Sequence, residues 1–287
     1  MITYSTNTMP NAAIHVRQWT FPGGEVGVDI NNPSTMYPER IEWVKITARM
    51  QNSDDVMALV MATDAIRRAY PNAVDTIYLY MPYVPYARQD RVMETGQSLS
   101  ITAFAAIINL LKFKVVAITD PHSAVTPAVL NNVFVSPQTA VFGKVKRSFR
   151  DWTIVAPDQG ATKKCEEFAK LVGAAGVITC HKTRDLHTGK ILGLDVNGPG
   201  DMSHLNLFVL DDICDGGRTF TELAALLRRR DPAKMELAVT HGIFSKGVEV
   251  VASVYDHVYT TDSFLGAEKA SQMFDAFENV TCLRATM

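Results

Sequence analysis

The chain has 287 residues, 47% of them hydrophobic and 20% charged, with a net charge of -2 at neutral pH. That composition supplies ample material for one large core or two ordinary ones, and its charge singles out neither nucleic acid nor an anionic membrane as partner. The longest apolar runs, such as TAFAAIINLL at 102–111, stop well short of the ~20 residues that span a bilayer. No basic-then-apolar leader opens the sequence and the four cysteines show no Cys-x-x-Cys spacing, so a reduced, cytoplasmic protein is expected.

Taken in order, DDVMALVMATDAIRRAY (54–70) has helical periodicity, with Ser53 as N-cap and Pro71 just beyond its end. DTIYLYM (75–81) reads as a strand, SITAFAAIINLLKF (100–113) as a helix and KVVAIT (114–119) as a strand. The basic stretch KVKRSFR (144–150) reads as a solvated face between halves. Then come strand WTIVA (152–156), helix TKKCEEFAKLVG (162–173), strand GVITC (176–180), strand LNLFVL (205–210), helix TFTELAALLRRR (219–230) and strand MELAVT (235–240). Strands apolar throughout and joined by helices indicate parallel sheets covered on both faces. The series runs twice, which predicts two α/β domains, 1–140 and 141–287, each a mostly parallel sheet flanked by helices. In each half a strand surfaces into an acidic loop: AITDPHS (117–123) and FVLDDICD (208–215).

Ligands of open parallel sheets bind beyond the carboxyl ends of strands, which is where Asp211 and Asp212 are expected. Adjacent carboxylates there can accept hydrogen bonds from sugar hydroxyls or hold Mg²⁺. Gly216 and Gly217 permit a tight turn whose N–H groups face a phosphate ahead of a helix, and Thr219 can cap that helix or donate to the phosphate. Diol and phosphate on one loop suggest a ribose phosphate; an acidic turn that merely caps a helix would read the same way.

The stretch DDICDGGRT resembles the ribose-phosphate motif of type I phosphoribosyltransferases. PYVPYARQDR (82–91), SITA (100–103), DPHS (120–123), APDQGA (156–161), HKTR (181–184) and THGIFSKG (240–247) narrow the resemblance to the ribose-phosphate diphosphokinases, the phosphoribosyl-pyrophosphate (PRPP) synthetases. The resemblance covers nearly the whole chain. It implies two duplicated phosphoribosyltransferase-like domains and transfer of the β,γ-diphosphate of ATP to a ribose 1-hydroxyl, with release of AMP.

The resemblance also implies roles. Arg88 and Gln89 bind ATP, and Arg91 offers a further guanidinium fork for its phosphates. His122 and Asp158 are Mg²⁺ ligands, with Asp120 beside them. Lys182 is the catalytic lysine and Arg184 a phosphate contact, since a loose diphosphoryl-transfer transition state needs charge neutralisation above all. Asp211, Asp212, Asp215, Gly216, Gly217, Arg218 and Thr219 hold the ribose phosphate. DLHTGKILGLDVNGPGD (185–201) is expected to be a flexible lid that excludes water. Phe21 and Glu25 in FPGGEV complete a neighbour's ATP site, which implies a homo-oligomer, a dimer or hexamer.

Three stretches leave the family pattern, at four positions. Gly23 stands where an aspartate is usual, Arg218 and Gly216 where glycine and threonine are usual, and Phe104 where a lysine is usual. Arg218 adds a fork near the ribose 5-position, so the acceptor is expected to be ribose 5-phosphate or a larger 5-substituted ribose such as ADP-ribose. A non-catalytic binding or regulatory paralogue is the alternative of another class, and a phosphoribosyltransferase that consumes PRPP is a third.

Overall fold

The computed structural model describes residues 1–30, 40–145, 147–184 and 191–285. Two units emerge, Met1–Ser136 and Pro137–Thr286. The first opens with antiparallel strands β1 (Ile2–Thr6) and β2 (Met9–His15), then a separate hairpin, β3 (Arg17–Thr20) and β4 (Val26–Asp29). It continues through β5 (Val44–Ala48), α1 (Ser53–Ala69), β6 (Ile77–Met81), α2 (Ser100–Leu110), β7 (Val115–Thr119), α3 (Val125–Val129) and β8 (Val133–Ser136). The sheet order is β2-β1-β5-β6-β7-β8, parallel from β5 to β8, with β1 antiparallel to both its neighbours.

The second unit runs α4 (Gln138–Phe142), β9 (Trp152–Ala156), α5 (Thr162–Val172), β10 (Gly176–Arg184), β11 (Ile191–Asn197), β12 (Asn206–Cys214), α6 (Arg218–Arg228) and β13 (Lys234–Gly242). It ends with α7 (Glu249–Ala252), β14 (His257–Thr261), α8 (Ala267–Phe274) and β15 (Val280–Leu283). The order β11-β10-β9-β12-β13-β14-β15 is parallel except for β11. From β9 the chain goes one way to β10 and then crosses to β12 on the other side, which makes the gap between β9 and β12 a topological switch point.

Alternation along the strands feeds two cores in this unit. Leu207 and Val209 pack with Leu223, Leu227 and Phe274 under α6 and α8, while Phe208 and Leu210 pack with Phe142, Phe149 and Phe168 under α4 and α5. Burial on both faces explains why these strands read as unbroken apolar runs. The core of the first unit is Ile46, Leu59, Ile66, Leu79, Ile101, Phe104 and Ile118.

Four local expectations are corrected. The N-cap of α1 is Asn52, whose side chain accepts from the Asp55 N–H at 2.9 Å, with Ser53 already inside the helix. KVKRSFR is more than a solvated face. Arg147 pairs with the buried Glu236 at 2.5 Å, bonds the Tyr259 hydroxyl and lies 4.5 Å over the Trp152 ring, because its planar cation suits an aromatic box. The expected lid is ordered in its second part as β11, antiparallel to β10 with His181 opposite Asp195; residues 185–190 lie outside the described residues. The helix at 100 stops at Leu110 because Lys112 takes a positive φ of 48°.

Candidate active site

Asp211 and Asp212 lie inside β12, two residues short of its end, rather than beyond it. The reason is lopsided pairing. β12 meets β9 only from Asn206 to Val209 and then continues beside β13 alone, with Asp211 opposite Val239 and Cys214 opposite Gly242. The tip of β12 therefore overshoots β9 and borders the loop carrying Asp158. Gln138 Nε2 donates to the Asp211 carbonyl at 2.7 Å, and the Asp212 N–H donates to the Asp211 carboxylate at 2.9 Å. Burial raises the Asp211 carboxyl well above the usual carboxylate range, and the charges of Asp212 and Asp158 push it the same way. Asp158 Oδ1 itself accepts from the Ala161 N–H at 3.2 Å in the turn that starts α5.

Beyond Cys214 the chain turns through Asp215, Gly216 and Gly217 into α6. Gly217 is the N-cap, at a φ of 77°, with no side-chain cap, so a glycine turn stands where a Thr219 cap was expected. A Cβ on Gly217 would sit 3.0 Å from Val250 Cγ1. Arg218 is the first residue of α6, and its Nε donates to Glu222 at 2.6 Å.

The loop after β13 is fastened onto this turn. The N–H groups of Ile243 and Phe244 both donate to the Cys214 carbonyl, at 2.9 and 3.1 Å. Ser245 Oγ donates to Asp215 Oδ1 at 2.6 Å. The Lys246 chain lies over Gly216, whose Cβ would meet Lys246 Cδ and Cε at 3.6 Å. Neither Ser245 nor Lys246 was singled out from the sequence, although THGIFSKG was; the signal is a register between two parallel strands, which a linear reading does not contain.

Lys182 and Arg184 belong by backbone to β10, opposite Leu194 and Ile191 of β11. Their side chains lie outside the described residues.

In the first unit the YARQDR and DPHS stretches meet. Asp90 bonds Ser123 and Arg91 and feels the His122 charge; burial works to raise its carboxyl, and those three partners outweigh it and hold it below its ordinary value. The Ser100 hydroxyl donates to the Gln89 side chain, tying YARQDR to the start of α2. Arg88, Gln89 and Arg91 are exposed. Asp120 is buried at a φ of 41° and its N–H donates to Ser136 at 2.8 Å, while His122 is exposed two residues on. Phe104, the unexplained loss of a lysine, has a packing role. It is buried with its ring 5.5 Å from that of Tyr86, which sits at a φ of 63° within YARQDR.

Phe21 closes the β3–β4 turn, its N–H donating to the Glu25 carbonyl at 2.8 Å, and its ring packs edge-on to Trp19 at 5.7 Å. A Cβ on Gly23 would meet nothing within 4 Å, so space does not exclude the usual aspartate there.

Comparison with known proteins points the same way. The model for the N-terminal domain of ribose phosphate pyrophosphokinase matches residues 7–112. The ribose-phosphate pyrophosphokinase of Mycoplasmopsis pulmonis is 27% identical over 261 residues, covering 90% of this chain and 79% of the relative. That of Thermococcus kodakarensis is 25% identical over 258 residues, covering 85% and 83%. Residues 7–112 thus match the N-terminal domain of ribose phosphate pyrophosphokinase, and the relatives matched over most of the chain are ribose-phosphate pyrophosphokinases. The phosphoribosylpyrophosphate synthetase of Mycobacterium smegmatis shares the fold, with a TM-score of 0.78 at 21% identity over 95% of this chain and 87% of that one.

As for metal, no three His, Cys, Asp or Glu side chains among the described residues are close enough to form a cage by themselves. Mg²⁺ does not need one, since it commonly takes one or two carboxylates together with water and substrate phosphates. Asp211, with the charges of Asp212 and Asp158 both acting on it at the switch point, offers carboxylates suited to that pattern.

Proposed function

We propose that the chain transfers the β,γ-diphosphate of ATP to the 1-hydroxyl of ribose 5-phosphate, giving PRPP and AMP. The observation that carries this reading is the tip of β12, where two carboxylates lead through a glycine turn into the open N-terminus of α6. Asp211 and Asp212 take the ribose hydroxyls, and the N–H groups from Gly217 onward take the 5-phosphate. Arg88, Gln89 and Arg91 hold the ATP phosphates. The ribose 1-oxygen attacks the β-phosphorus, the bond to the α,β-bridging oxygen breaks, AMP departs and the hydroxyl proton is released. Lys182 and Arg184 neutralise charge on the transferring group. By the family resemblance His122 and Asp120, and separately Asp158, are the residues that would hold Mg²⁺, which would supply further charge neutralisation on the phosphates.

The active form is a homo-oligomer, a dimer or hexamer, in which Phe21 and Glu25 complete a neighbour's ATP site. The exposed Trp19–Phe21 pair on the β3–β4 hairpin suits that role. No helix among the described residues is long and apolar enough to cross a membrane, and the reaction is assigned to the cytoplasm.

Incubation with ATP, Mg²⁺ and ribose 5-phosphate tests the reading: AMP and PRPP are expected. ADP in place of AMP would mean a different transfer, and no turnover with any ribose would leave a non-catalytic binding or regulatory relative. A second reading takes a longer 5-substituent, as in ADP-ribose. Its support is Arg218, a cation at the first position of α6 that a monophosphate does not require. Competing the two acceptors gives the ratio of kcat/KM that decides it. On that second reading Arg218→Gly moves the ratio toward ribose 5-phosphate by about tenfold.

A further inference from the structure

Resting on the proposed acceptor site, we infer that Gln138 is a positioning residue for acceptor specificity: it holds the Asp211–Asp212 peptide so that the Asp211 carboxylate recognises a sugar hydroxyl and tells ribose from deoxyribose phosphates. Gln138 Nε2 donates to the Asp211 carbonyl at 2.7 Å, and across that same peptide the Asp212 N–H donates to Asp211 Oδ1 at 2.9 Å. Amide, peptide and carboxylate thus form one hydrogen-bonded chain, and a donor on a peptide carbonyl strengthens the N–H on its other side. Gln138 is 4% exposed. It opens α4 directly after Pro137, whose ring restricts the approach of the chain. Val141 and Phe142 of the same helix pack with Phe208 and Leu210 of β12. The amide is therefore anchored on the strand whose peptide it bonds.

The Asp211 carboxylate needs such a hold. The charges of Asp212 and Asp158 both act on it, and a carboxylate repelled by two others turns away unless something fixes it. With Oδ1 tied to the next N–H, the carboxylate plane is set and its remaining lone pairs keep one direction. A hydroxyl donating to a fixed carboxylate meets little ordering cost. A site built to accept from a hydroxyl rejects the analogue lacking it, because the acceptor is then left unpaired.

The test is calorimetric titration of the full chain, with Mg²⁺ and a non-hydrolysable ATP analogue present, against ribose 5-phosphate, 2-deoxyribose 5-phosphate and 3-deoxyribose 5-phosphate. The parent is expected to prefer ribose 5-phosphate to at least one deoxy sugar. Gln138→Met keeps the shape of the side chain and removes its donor. It is expected to bind ribose 5-phosphate about tenfold more weakly and that deoxy sugar as the parent does, so the preference collapses. Gln138→Asn, one methylene shorter, is expected to behave likewise and serves if the methionine variant fails to fold. Unchanged affinity for the deoxy sugar is the readout that a merely loosened structure would not give. A parent without the preference, an equal loss for all three sugars, or no loss for any would overturn the role of Gln138. A parent that binds no ribose phosphate would overturn it together with the acceptor site. A selective loss in a chain that releases no AMP would instead sink the proposed reaction and leave Gln138 in place.

Discussion

A carboxylate within a parallel sheet has little water to solvate its charge, and Asp211 has two more acids for company. Its folded pKa lies above the unfolded value, so its contribution to stability is present below about pH 4 and is lost as pH rises through the folded value. Asp211→Asn removes that loss. The variant is expected to melt higher than the parent at pH 7–8, by about 2 °C or more, with the gain vanishing near pH 4, while acceptor binding fails. Scanning calorimetry across pH reads both limbs; a lower melting temperature at pH 8 would contradict the electrostatic account. For chemistry, Lys182→Ala should lower kcat by at least ~10² with a smaller change in KM, since the contact strengthens as charge develops. At this scale the sequence was legible wherever a residue's chemistry is local: Asp211, Gly217 and Arg88 stand out by type. Phe104 was opaque because its meaning is the ring of Tyr86, eighteen positions away by sequence and adjacent only once α2 has packed.

The elements were legible where burial on both faces writes itself as an unbroken apolar run. β9 begins and ends where its pattern says, and α5 and α6 differ from expectation by a residue or two. β12 was read four residues short, because aspartates do not look like strand, and only pairing with β13 carries the backbone on to Cys214. β11 was hidden altogether: an edge strand with one neighbour needs no apolar run. On the proposed reading, the turn between β12 and α6 is the joint on which acceptor binding depends. Gly217→Ala forces a side chain into a left-handed backbone and against Val250. About 1–2 kcal/mol of stability should be lost in urea unfolding, with acceptor KM raised and KM for ATP nearly unchanged. A rise confined to ATP would mean the turn serves the other substrate.

Over the whole molecule, two sheets with separate cores and a net charge of -2 leave association to specific surfaces rather than to a general field. Sedimentation at assay concentration is expected to show at least a dimer, and a fully active monomer would refute the role given to Phe21 and Glu25. The cysteines should be silent: Cys165, Cys180 and Cys214 are buried, and burial pushes the thiols of Cys180 and Cys214 up to about 12. A thiol reagent at pH 8 should therefore label only Cys282 in the native protein and all four cysteines after denaturation. Three fast labels would show the second sheet opening on the timescale of the assay. Crowded acids at the tip of β12 also tie the lifetime of the protein to its diet. On the proposed reading, molecules holding cation and phosphorylated sugar would be relieved of that repulsion and open less often, whereas empty ones would expose their backbone to proteases sooner. A cell short of pentose phosphate would thus clear this chain faster than a well-fed one, with its abundance following supply before any gene responds.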